Sequence, residues 1–180
     1  MDIGWFSTGK DKAARELLAF IQDRVLKKEL DINIKFVFSN REYKESKESD
    51  LFFELVKSYN IPLILFSSSK YKQELRKADI NLWRQEYDKQ VYRRIKNFLP
   101  VRLCMLAGYM LIVSKYLCNK ILMINLHPSL PGRYKGSWQE VINQVIKNQD
   151  KEAGAMIHIV TPELDSGPCI NYMKFEVKDY

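Results

Sequence analysis

Short apolar runs rich in β-branched and aromatic residues alternate along this chain with segments whose apolar residues recur every three or four positions. Few folds accommodate that order. Residues 3–6, 32–38, 61–66, 103–107 and 121–126 read as strands, and 155–160 and 169–177 as two more around a Pro/Gly turn. Helices are expected over 13–28 (Leu17, Leu18, Ile21, Val25) and around Leu51, Phe52, Leu55 and Val56. Another runs through Trp83, Tyr87, Val91 and Ile95, with Pro100 as its stop signal. A short helix is expected over 114–119, and one more through Trp138, Val141, Ile142, Val145 and Ile146, with Trp138 read as core. Residues 41–49 are polar and read as a loop, 61–66 reads as a buried strand, and 67–81 has no clear period. The alternation predicts an α/β fold, a mostly parallel sheet with helices on both faces. Ligands of such sheets sit at the carboxyl ends of the strands, so the loops after Phe6, Ala107, Leu126 and Val160 are expected at one edge.

The 180 residues contain no internal repeat, low-complexity tract or linker, which predicts one domain over 1–180. No run of 18 apolar residues is present and the start, Met1-Asp2-Ile3-Gly4, lacks a basic leader, so neither a membrane nor a secretory route is expected. Three scattered cysteines, Cys104, Cys118 and Cys169, fit a reduced compartment, and a cytoplasmic protein is expected. The net charge of +7 is spread over helix faces such as Lys89, Arg93, Arg94 and Lys96. That is the pattern of a solvated surface, so no nucleic-acid partner is predicted.

Two segments can carry chemistry. In Asn125-Leu126-His127-Pro128-Ser129-Leu130-Pro131-Gly132, the amide and the imidazole close a strand two residues apart and so point the same way. An Asn N–H can hold a carbonyl oxygen, and His can move a proton near neutral pH. In isolation such a pair is more often structural. The second segment is Thr161-Pro162-Glu163-Leu164-Asp165-Ser166-Gly167-Pro168. Asp before Ser-Gly-Pro often just caps backbone amides, whereas a carboxylate beside His127 would bias its protonation and accept a proton. His158, inside a strand, reads as structural, satisfied by backbone or a carboxylate.

Taken together, these segments resemble the folate-dependent formyltransferases, the family that includes phosphoribosylglycinamide formyltransferase. That family carries an N-x-H-P-S-L-L-P-like strand end and a later E-L-D-x-G-P turn. Leu106-Ala107-Gly108-Tyr109-Met110 is similar to its L-A-G-F/Y-M, and Val37-Phe38-Ser39-Asn40 to its V-x-S-N. The resemblance covers nearly the whole chain and implies a Rossmann-like formyltransferase fold. It implies transfer of formyl from 10-formyltetrahydrofolate to a small phosphorylated amine, glycinamide ribonucleotide first, in purine biosynthesis. Asn125, His127 and Asp165 are then the catalytic residues, with no metal. Met110, Leu111, Val113, Thr161, Pro162, Glu163 and Leu164 are the implied folate-binding positions, and a homodimer is left open.

The acceptor side departs from the family pattern. The family's G-x-G-S-N loop is Ser7-Thr8-Gly9-Lys10-Asp11-Lys12 here. Gly9, Lys10, Asp11 and Lys12 are the implied phosphate-binding positions, although Asp11 opposes an anion unless turned away. Arg84 resembles a family Arg that meets the substrate, and the family's Arg after Phe-Met is Leu111. Compared with the family, the last hairpin and C-terminal helix are expected to be missing. Alternatives are a sibling formyltransferase acting on another amine such as a sugar nucleotide, a formyl-folate hydrolase, and an inactive folate- or nucleotide-binding relative.

Overall fold

The computed structural model describes residues 1–177. Seven strands form one sheet in the order β3-β2-β1-β4-β5-β6-β7. They are β1 (Asp2–Phe6), β2 (Asn33–Ser39), β3 (Leu63–Leu65), β4 (Leu103–Leu106), β5 (Met123–His127), β6 (Glu152–Ile159) and β7 (Cys169–Glu176). The first five are mutually parallel, β6 runs antiparallel to β5, and β7 runs antiparallel to β6. The helices are α1 (Lys12–Leu26), α2 (Lys47–Ser58), α3 (Gln73–Ala78), α4 (Ile80–Ile95), α5 (Lys115–Cys118) and α6 (Trp138–Lys147).

Both faces of β1 and β2 are buried, as their near-continuous apolar sequences require. Phe6, Phe36 and Phe38 pack against Trp83, Tyr87, Val91 and Ile95 of α4 on one face. Ile3, Trp5, Ile34 and Val37 pack against Leu18 of α1 and Phe52, Phe53 and Val56 of α2 on the other. Gly4 is required where the first face is tightest: a Cβ there would sit 2.6 Å from Cys104 Sγ and 2.6 Å from the Phe36 ring.

β1 is flanked by β2 on one side and β4 on the other, so the chain reverses its direction of sheet growth between β1 and β4. That switch point opens a crevice at the carboxyl ends of the strands.

The structure corrects several expectations. α2 begins at Lys47, inside the segment read as loop, because its first turn is polar: Glu48 and Asp50 lie at the positive end of the helix. The 61–66 run is an edge strand and only half-buried, not an interior one. Residues 67–81 contain α3 and the start of α4, whose N-terminal N–H groups of Asn81 and Leu82 are accepted by Asp79. Because β6 is antiparallel, Val160 bonds to Met123 at the start of β5 rather than at its end. The 160–168 turn must double back to reach the crevice, which it does with Asp165 in the left-handed region at φ 47°. Among the described residues no helix is long and apolar enough to cross a membrane.

Candidate active site

A groove of about 440 Å³ fills the switch-point crevice. Its walls are the first loop with α1, residues 107–112 after β4, the end of β5, the start of α6, and the Asp165 turn.

Asn125, His127 and Asp165 meet in the groove. Asn125 Nδ2 lies 3.1 Å from His158 Nε2 and 3.4 Å from Asp165 Oδ1. His127 Nδ1 is 3.5 Å from Asp165 Oδ2. The register of β5 against β6 puts His158 directly opposite Asn125, so His158 joins the cluster, with Nε2 3.7 Å from Asp165 Oδ1. The sequence predicts a structural His158 satisfied by backbone or a carboxylate, and the structure supplies both partners. Its backbone partner is there, Ile159 O at 2.9 Å from Nδ1, but cross-strand register, which one sequence does not reveal, is what brings it to the carboxylate.

The hydrogen bonds fix the ring nitrogens. A carbonyl oxygen only accepts, so His127 Nε2 carries a proton toward Tyr134 O at 2.7 Å. Nδ1 is then the ring nitrogen that faces Asp165. By the same argument His158 Nδ1 donates to Ile159 O, and its Nε2 accepts from Asn125 when neutral. Tyr134 is held by its N–H to Ser129 Oγ (3.1 Å) and its hydroxyl to Asp150 (2.6 Å), so the irregular 128–136 path is braced behind the imidazole.

The Asp165 side chain is only 8% exposed, yet it stays ionised. Burial pushes its carboxyl up. The hydrogen bond with His158, the Gly136 N–H at 3.1 Å and the two imidazoles outweigh that and hold it below the ordinary range. In turn the Asp165 carboxylate raises His158, with burial working against it. Gly136 makes its approach with φ 107°, and a Cβ there would meet Glu140 Oε2 at 2.6 Å.

On one side of the cluster the groove is apolar, formed by Tyr109, Met110, Leu111, Ile112 and Leu164. Val113, Thr161, Glu163 and Leu164 line a small adjoining recess with Asn125 and Asp165. Pro162 faces a separate shallow depression beside Lys115. On the other side lie Lys10, Asp11, Trp138, Gln139 and Glu140. Trp138, expected in the core, is 41% exposed and lines this end.

The first loop is not an open anion cradle. Asp11 Oδ1 caps α1 by accepting from Ala14 N–H (3.1 Å), and Oδ2 accepts from Trp138 Nε1 (2.9 Å). Lys12 pairs with Glu16 on the exposed face of α1. Gly9 turns the loop at φ 60°, backed by Phe52. Arg84 is directed to Asn81 of its own helix (3.3 Å) and is not among the groove residues. Of the four first-loop positions expected to hold an anion, Lys10 and Asp11 line the groove. Among the described residues no cluster of three or more His, Cys, Asp or Glu side chains is placed to hold a metal ion.

Comparison with known proteins gives a consistent result. The formyl transferase family matches residues 9–179. A phosphoribosylglycinamide formyltransferase of Dictyostelium discoideum is 35% identical over 162 residues, covering 85% of this chain and 74% of that protein. The enzyme of the same name from Escherichia coli (strain K12) is 35% identical over 96 residues, 52% of this chain and 44% of the other. The crystal structure of phosphoribosylglycinamide formyltransferase from Bacillus halodurans superposes with a TM-score of 0.77 at 22% identity, covering 99% of this chain and 81% of that one, and so shares the fold.

Proposed function

This chain belongs to the formyl transferase family and is a formyltransferase, and from that premise we propose that it moves a formyl group from 10-formyltetrahydrofolate to a small phosphorylated amine, glycinamide ribonucleotide, in cytoplasmic purine biosynthesis. The observation that carries this reading is the convergence of Asn125, His127 and Asp165 on one groove from β5 and the distant Asp165 turn. The folate lies along the apolar side, against Met110, Leu111 and Leu164, with Val113, Thr161 and Glu163 beyond. The amine enters from the Lys10 side.

In this reaction the amine lone pair attacks the formyl carbon, and the carbonyl electron pair moves onto oxygen. The Asn125 N–H held at 3.4 Å from Asp165 is loosely engaged and can turn to that oxygen. Protonated His127, with its Nε2 tied to Tyr134 O, presents Nδ1–H as the second donor. Asp165 accepts the proton released by the amine, directly or through water. The oxyanion then collapses, the bond from the formyl carbon to the folate nitrogen breaks, and that nitrogen takes the proton.

A second reading, transfer to another amine, is favoured by Asp11. Its carboxylate occupies the α1 N-terminus, which would otherwise attract a phosphate. Turnover of 10-formyltetrahydrofolate measured with glycinamide ribonucleotide, with unphosphorylated amines and with no acceptor separates the readings. Turnover with glycinamide ribonucleotide alone supports the first, turnover with another amine supports the second, and acceptor-independent loss of formyl contradicts both.

A further inference from the structure

Residues 109–114 belong to no helix or strand; 109–112 form the apolar wall of the groove and Val113 lines the adjoining recess. Two buried polar posts hold their backbone. At one end Met110 N–H donates to Thr8 Oγ1 at 2.9 Å. That hydroxyl spends its own proton on Asn40 Oδ1 at 2.7 Å, which leaves its lone pairs toward Met110. Asn40 is fixed in turn by donating from Nδ2 to Ser68 Oγ at 3.1 Å. At the other end Ser114 N–H donates to Asp88 Oδ2 at 2.6 Å, from the buried face of α4. Thr8, Asn40 and Asp88 are 1%, 4% and 3% exposed, and none of them lines the groove. The last residue of the Val37-Phe38-Ser39-Asn40 motif thereby acquires a role that the reaction chemistry leaves unexplained.

We infer that Asp88 and the Thr8–Asn40 pair are positioning residues that clamp both ends of the 110–113 segment, so that its backbone and the Met110 and Leu111 side chains are preformed for a flat heteroaromatic ring. The inference rests on the folate reading above and deepens it. An unclamped segment of this kind would have to be ordered by the ligand, at a cost in affinity. Burial raises the Asp88 carboxyl to about 6. Holding a carboxylate in so unfavourable a place is understandable if its job is to accept from Ser114.

Titration of a folate analogue against the wild-type chain and the variants Asp88→Leu, Asp88→Asn, Thr8→Val and Thr8→Ser tests this, together with the KM values of both substrates for the Asp88 pair. Asp88→Leu and Thr8→Val each remove an acceptor and should weaken the analogue at least about tenfold. Asp88→Asn and Thr8→Ser keep an acceptor oxygen and should remain within about threefold. For Asp88→Leu the loss should fall on the KM for the folate, with kcat at saturating folate and the KM for the amine little changed. Wild-type affinity in either acceptor-deleting variant overturns the inference, as does an equal loss in the conservative partners. Should Asp88→Leu fail to fold, the Thr8 pair carries the test alone. A wild-type chain that does not bind the analogue would instead overturn the folate reading itself.

Discussion

The Asp165 carboxylate meets the Nδ1 edge of His127 at 3.5 Å, opposite the bond that ties Nε2 of the same ring to the Tyr134 carbonyl. One ring nitrogen is committed to the backbone, and the other is left to chemistry under the influence of a buried anion. Asp165→Asn keeps the shape and tolerates the left-handed backbone at φ 47°. It should fold normally and lose turnover by about 10²–10⁴-fold. Initial rates alongside a melting curve check this, and near-normal turnover in a folded variant removes Asp165 from the reaction.

The same carboxylate raises His158 above its ordinary value of 6.5. That pairing stabilises the fold fully below 6.5 and loses its contribution as pH rises through the folded value. The depression of Asp165 has the opposite sense: its stabilisation is present above 3.8 and vanishes as pH falls through the lower folded value. An NMR titration should show His158 falling toward its ordinary value in Asp165→Asn. An unmoved His158 titration would separate the two groups.

Gly167 should tolerate no side chain. A Cβ there would overlap the carbonyl oxygen of Ile159, the same oxygen that accepts from His158 Nδ1. Gly167→Ala is expected to lower stability by about 1–3 kcal/mol and to displace the Asp165 turn. Denaturant unfolding and turnover should fall together, and a variant with native activity would contradict the packing.

Lys10 lines the groove with Asp11 and Glu140 at the end proposed for the acceptor. Lys10→Ala should raise the KM of a phosphorylated acceptor about fivefold, the scale of one exposed charge contact, and leave the KM of the folate unchanged. An unchanged acceptor KM would take Lys10 out of binding.

Much of this architecture is legible in one sequence because the signals are local. The four-residue recurrence of Trp83, Tyr87, Val91 and Ile95 belongs to the buried face of α4, and Phe36-Val37-Phe38 packs as a strand segment buried on both faces. The polar first turn of α2 hides its start, since Lys47, Glu48 and Asp50 carry no apolar period. Ser137 and Glu140 form a capping box that marks the start of α6 and places Trp138 at the groove rather than in the core. What a single chain does not disclose is register. The placement of His158 against Asn125 and the return of the turn to His127 are decided by pairing between strands and by an antiparallel β6.

The most direct test is the rate of tetrahydrofolate formation from 10-formyltetrahydrofolate and glycinamide ribonucleotide by the wild-type chain and by His127→Ala, with folding verified by circular dichroism. Acceptor-dependent turnover is expected, dropping by about 10²–10³-fold when the imidazole is removed. Equal rates in the two proteins would contradict that expectation.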